Sequence, residues 1–208
     1  NAEESFKLEL EASLCQVRTT LPDPQKPIRV WVEDEVRYGL ITVVRRVWGM
    51  KGNRVLAPYQ AKYQASYLYG ALEITQGETQ MLFRLPVCLE STEMFLRELV
   101  ATEPEAYHIL LWDNAGFHTK PGDKSLPEQV RLLPFPPYSP ELNPVERLWD
   151  IVKDGISNRV WESLDDLEEA MVTILEPFLL NAERVKQFLG DNWLTQATAN
   201  SLYSLNTS

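Results

Sequence analysis

Cysteine and histidine are almost missing from this chain, with two of each in 208 residues. Cys15 and Cys88 are too few for a disulfide framework, and neither the cysteines nor the histidines show zinc-ligand spacing. No histidine triad and no nucleophilic cysteine pattern is present. No apolar run approaches the length of a membrane span and no secretory leader is visible, so a reduced, cytoplasmic setting without a membrane partner is expected. A third absence is local: between Val36 and Leu72 there is no Asp or Glu.

That gap matters because the chain as a whole is acidic, with 30 acidic against 20 basic residues and a net charge of −10. Such a balance by itself argues against a nucleic-acid partner. The acid-free segment, however, holds Arg37, Arg45, Arg46, Lys51, Arg54 and Lys62, interleaved with Tyr38, Trp48, Tyr59, Tyr63, Tyr67 and Tyr69. A basic, aromatic segment in an acidic chain is a candidate phosphate-binding surface. Lys51 and Arg54 are the first candidates for phosphate contact, followed by Arg45, Arg46 and Lys62. The plainer alternative is a strand meander with solvated cations and core aromatics.

The length suits one domain with a real core. Residues 2–18 allow a helix, and the proline-rich 21–27 breaks it, so 1–27 reads as a helix and linker, the tail of a missing region. "IRVWVEDE" from Ile28 is a strand pattern, and "LITVVRRVW", "YLYGALEI" and "TQMLFRLPV" follow as further strands in an antiparallel meander. A helix capped by Ser91 or Thr92 comes next, then "HILLWDN", a continuous apolar run expected of a strand buried on both faces. His108 at its start reads as an edge residue. After a short strand, "VRLLPF", three helices are expected over 143–159, 164–180 (with Ser163 and Asp166 as a capping pair) and 182–190. The polar 195–208 is expected to fray. The pattern predicts an α/β domain with a mixed sheet over 28–194, flanked by helices.

Three carboxylates stand out. Asp34 continues the apolar row Ile28, Val30, Val32 at what looks like a strand's end, where a carboxylate is costly unless paired, exposed or bound to metal. Asp113 follows four apolar residues at the carboxyl end of a buried strand, the edge where ligands gather in open α/β sheets. Glu146 lies three residues beyond Asn143, which can cap a helix whose first position is Pro144. Taken alone, Asn-x-x-Glu reads as a capping box, with Glu146 reaching back to the cap's N–H. Taken together, two aspartates and a glutamate on separate elements suit a hard cation with oxygen ligands. Two such ions would support phosphodiester transfer.

The blocks "VEDE", "LLWDNAGFHT" and "PPYSPELNPVERLW" resemble the signature blocks of mariner-type transposase catalytic domains, and are most similar to the bacterial insertion-sequence family numbered 630. The resemblance runs from about Ile28 to Leu194. It implies a ribonuclease-H-like fold, a DDE site formed by Asp34, Asp113 and Glu146, two Mg²⁺ or Mn²⁺ ions, and cleavage and joining of DNA at transposon inverted repeats and TA-containing targets. It also implies a homodimer on paired ends, and it makes His118 a candidate DNA contact, with a local hydrogen-bonding role as the alternative, and Asn114 a candidate to orient Asp113 or a bound water, with a turn role as the alternative. Glu141 and Glu35 are expected to be outside the site. The interval from Asp113 to Glu146 is slightly shorter than in mariner-type enzymes, which bears on loop length. Nothing here resembles the basic helix-turn-helix domains that precede the catalytic domain in the family, so this chain alone should bind DNA weakly and with steep salt dependence. Two other readings are a catalytically silent DNA-binding or interaction module and a ribonuclease-H-like nuclease acting on RNA–DNA hybrids.

Overall fold

A computed structural model describes residues 2–23, 25–53, 55–113, 126–190 and 193–203. Helix α1 (Ala2–Thr20) leads into three antiparallel strands, β1 (Ile28–Ile41), β2 (Ala61–Glu73) and β3 (Thr79–Leu85). Helix α2 (Leu89–Thr102) then crosses to β4 (Tyr107–Trp112), and β5 (Val130–Pro134) completes the sheet. Four α-helices follow among the described residues: α3 (Pro144–Ile156), α4 (Leu164–Leu179), α5 (Ala182–Leu189) and α6 (Trp193–Tyr203). The five strands lie in the order β3-β2-β1-β4-β5, with β1, β4 and β5 mutually parallel and the other pairings antiparallel. This is the mixed sheet that the pattern predicts.

Strand alternation divides the core in two. Val30, Val32, Val36 and Tyr38 of β1 face α3, α4 and the terminal helices, while Trp31 of β1 and Tyr69 of β2 pack toward Phe95, Leu96 and Leu99 of α2. Strand β4 feeds both sides, Ile109 and Leu111 to the first and Leu110 and Trp112 to the second, which is why it reads as an unbroken apolar run.

Four local expectations are corrected. "LITVVRRVW" is not a second strand: β1 continues to Ile41, and the described residues of 42–60 form no regular element. The pairing with β2 slips between Gly39 and Ile41, where a Cβ on Gly39 would lie 2.5 Å from the Gln64 carbonyl. Beyond that slip Val44, Val47 and Trp48 find no burying face. Helix α2 is capped at Cys88, and Ser91 and Thr92 lie buried inside its first turn, with the Thr92 hydroxyl donating back to the Cys88 carbonyl. The polar stretch after residue 194 is helical to Tyr203, because Leu194, Ala197, Thr198 and Ser201 recur on one buried face. That face packs on α1, where Arg18 donates to the carbonyls of Ser201 and Leu202.

His108 is the fourth. It is fully buried within β4, accepts from the Trp31 indole at Nδ1 (3.1 Å) and contacts the Glu103 carbonyl through Nε2. With Nδ1 accepting, the proton sits on Nε2 and the ring is neutral. Burial pushes its pKa down, and the nearby Arg29 charge adds to this.

Candidate active site

Register places two of the three carboxylates. Val32 of β1 pairs with Leu111 of β4, and Asp34 and Asp113 each lie two residues beyond that pair on parallel strands. Strand β4 ends at Trp112, so Asp113 stands exposed at its carboxyl end. Asp34, in contrast, is not at a strand end. Strand β1 outruns β4 and stays paired to β2, with Asp34 opposite Gly70, so the aspartate sits mid-strand where the parallel side of the sheet stops.

The third carboxylate arrives on α3. Pro140–Leu142 forms a short 3₁₀ turn, and Asn143 then caps α3, its Oδ1 accepting from the Val145 N–H at 3.1 Å. The Asn143 amide also donates to the Glu33 carbonyl at 2.8 Å, tying the helix start to β1 one residue before Asp34. The backbone N–H of Asn143 donates to the Pro140 carbonyl at 3.0 Å. That bond takes the donor that a capping box would give to Glu146, so the cap-only account of Glu146 fails here. The reciprocal box does occur at α4, between Ser163 and Asp166.

One turn further along α3, the Trp149 indole donates to Asp34 Oδ2 at 2.9 Å. The ring reaches that oxygen because Gly70 leaves room: a Cβ there would lie 2.5 Å from Trp149 Cη2. Neither Trp149 nor Gly70 stands out among the candidate site residues of the sequence. A glycine inside the strand pattern "YLYGALEI" was the available signal, since it marks a close approach.

Asp34, Asp113 and Glu146 line one open cavity of about 410 Å³, with Asn143 and the segment Phe135–Pro140 forming the rest of its wall. Glu141 is exposed on the 3₁₀ turn and does not line it. The Asp34 carboxyl is pushed up to about 8, first by burial, then by the charges of Glu146 and Glu35, with a smaller part from Asp113. Among the described residues no three His, Cys, Asp or Glu side chains stand close enough to hold an ion. The carboxylates share a cavity without closing on one point. As a donor set they fit a hard divalent cation: oxygen ligands only, and a buried carboxyl whose charged form a cation would favour.

The basic segment is exposed at Arg46, Lys51 and Lys62. Arg45 forms ion pairs with Asp150 (2.8 Å) and Asp154 (3.3 Å) on α3, and Lys62 donates to the Glu162 carbonyl. Arg54, Asn114 and His118 lie outside the described residues.

A mixed five-stranded sheet flanked by helices, with carboxylates gathered where β1 passes the end of β4, is the ribonuclease-H-like arrangement. The chain belongs to the DDE superfamily endonucleases, whose family model matches residues 29–168. It is 36% identical over 105 residues to the uncharacterized protein y4pE/y4sA of Sinorhizobium fredii, covering 49% of this chain and 76% of that one. It is 31% identical over 161 residues to the insertion element IS630 uncharacterized 39 kDa protein of Shigella sonnei, covering 72% of this chain and 46% of that one. The fold matches the catalytic domain of Mos1 mariner transposase at a TM-score of 0.57 and 16% identity, over 97% of this chain and 92% of that one. It also matches the mariner Mos1 paired end complex with Mg at a TM-score of 0.58 and 17% identity, over 97% of this chain and 61% of that one. The chain spans about half the length of the insertion-element relative, and its likeness to the Mos1 structures is one of fold.

Proposed function

We propose that this chain is the catalytic domain of a transposase that cuts DNA strands at transposon ends and transfers them to a target. Asp34, Asp113 and Glu146 would hold two divalent ions, Mg²⁺ or Mn²⁺. The observation that carries the reading is that these three carboxylates, from three elements distant in sequence, line one open cavity. The Mg-containing mariner complex named above supports the choice of metal by analogy.

Bound ions would supply Lewis-acid stabilisation of the leaving oxygen and lower the pKa of the attacking water or 3′-hydroxyl. The chain's own groups do the positioning. Trp149 orients the Asp34 carboxylate through its indole N–H. Asn143 fixes the start of α3 against β1, so Glu146 is presented from a rigid helix turn rather than from a loop. Lys51, Arg46, Lys62, Arg45 and Arg54 are proposed phosphate contacts, with His118 a further DNA contact. Arg45 must leave its two α3 aspartates to serve. In this reading the chain acts on inverted repeats and TA-containing targets as a homodimer in the cytoplasm, at the nucleoid. Among the described residues no helix is long and apolar enough to cross a membrane.

Titration calorimetry with Mn²⁺ on the wild-type chain and on Asp113→Ala, repeated with DNA present, tests the site. Binding lost in the variant is expected; equal binding in both would remove Asp113 from the metal site. Mn²⁺-dependent nicking of plasmid DNA by the wild type distinguishes the enzyme from a silent DNA-binding module.

A further inference from the structure

We infer that Tyr138 is a stacking platform for a nucleobase beside the bond that this site cuts, an inference that rests on the DNA-cleaving reading above. Three non-glycine residues among those described have positive φ: Arg84 (64°), Tyr138 (58°) and Asn158 (56°). A side chain at such a backbone conformation is disfavoured and persists where something compensates it.

For two of the three the compensation is visible. Arg84 forms ion pairs with Asp165 and Glu168 at the start of α4. Asn158, a residue type that tolerates this conformation, bonds the backbone N–H and carbonyl of Arg45 through its side chain, and its own N–H donates to the Val43 carbonyl. Tyr138 has no comparable return. Its relative exposure is 101%, so the ring contributes nothing to the core although an aromatic ring is among the largest apolar surfaces a protein can bury.

Its placement supplies the reason. Tyr138 follows Pro136 and Pro137 and is followed by Pro140, residues that restrict the chain on both sides and hold the turn in one shape. It lines the same cavity as Asp34, Asp113 and Glu146. The exposed aromatics of the basic segment, such as Trp48 at 103%, do not line that cavity. A phosphodiester entering the cavity brings its attached base past Tyr138. Where a strand is bent or unpaired to enter the cavity, an aromatic ring held ready in solvent restores part of the stacking that is lost, whatever the base. Tyr138 is then the residue that sets how far a strand enters the cavity.

The test uses a duplex with a short single-stranded overhang and 2-aminopurine at the junction, in buffer with Ca²⁺, and compares the wild-type chain with Tyr138→Phe, Tyr138→Trp, Tyr138→Ala and Tyr138→Gly. Fluorescence quenching reports stacking, and anisotropy of the same labelled duplex reports affinity. Quenching is expected with the wild type, Phe and Trp proteins. It should be lost with Ala and Gly, whose affinity falls about tenfold. Glycine accepts the positive φ, so a loss shared by Ala and Gly follows the ring and not the turn. Quenching retained in Ala and Gly, lost in Ala alone, or absent in a wild type that binds would overturn the role of Tyr138 and leave the DNA-cleaving reading standing. A wild type that binds no DNA would overturn both.

Discussion

The Trp149 indole N–H lies 2.9 Å from Oδ2 of Asp34, so the helix that presents one carboxylate of the site also orients another. Trp149 is three residues beyond Glu146 on α3, on the turn that packs against β1, and its ring occupies the space left by Gly70 opposite Asp34. Three elements are thereby locked together around one carboxyl group, and each lock can be broken separately.

Trp149→Phe keeps most of the buried ring and removes the donor. Mn²⁺ affinity and nicking should fall about 10–100-fold, as is usual when a residue supporting a metal ligand is lost. Stability should fall by about 2 kcal/mol from the lost hydrogen bond and the smaller ring. Calorimetry and urea unfolding measure the two effects independently; an activity equal to wild type would show that Asp34 needs no such orientation.

Gly70→Ala attacks the same relationship from the sheet. The added Cβ meets Trp149 Cη2 at 2.5 Å and Met81 Sδ at 2.9 Å, so the indole must move. A destabilisation of about 1–3 kcal/mol is expected. Because the ring is displaced and not merely shortened, nicking should fall at least as far as in Trp149→Phe.

Glu146→Gln separates capping from metal binding. Since the Asn143 N–H is held by the Pro140 carbonyl, Glu146 closes no capping box, and its charge acts on the helix start only through the helix dipole. Thermal stability should stay within about 0.5 kcal/mol of wild type, while Mn²⁺-dependent nicking disappears. A variant that is clearly destabilised yet active would restore Glu146 to a structural role.

Asn143→Ala should do the reverse in part. It loses the helix cap, worth about 1 kcal/mol, and the bond to the Glu33 carbonyl, worth about as much again. Nicking should fall with stability because α3 is no longer pinned beside Asp34. Asn143→Asp retains the acceptor for the Val145 N–H but not the donor to Glu33, so it should recover the cap contribution without recovering full activity.

His108 gives a pH dependence far from the site. Its folded pKa lies below the ordinary value of about 6.5, so between those two values the unfolded chain binds the proton and the folded chain does not. Its contribution to stability is therefore complete above about pH 6.5 and declines as pH falls toward the folded value. His108→Asn leaves an acceptor for the Trp31 indole and removes the titration. Urea unfolding from pH 7.5 to 5 should show a shallower slope in the variant; parallel slopes would mean that His108 titrates normally.

The strands with clear alternation, the doubly buried β4, the capping box of α4 and the start of α3 after Asn143 were legible, because each depends on neighbours within a few residues. The three carboxylates stood out for the same local reason: each interrupts or terminates an apolar pattern. The end of β1 was misjudged because it is set by the slip beside Gly39, where a strand distant in sequence makes contact. The helicity of the polar C-terminal stretch also escaped, since it depends on α1 being there to cover it.

By itself, then, the sequence determined which residues could carry the chemistry and what kind of element would hold each one, since caps, prolines and periodicity act over short range. Only the tertiary structure decided that Asp34 stands mid-strand level with Asp113, that a tryptophan of α3 orients it, and that the N–H expected to hold Glu146 is already taken. Those facts depend on strand register, on the space over one glycine and on competition for one hydrogen-bond donor, and each involves groups that meet only when the chain has folded.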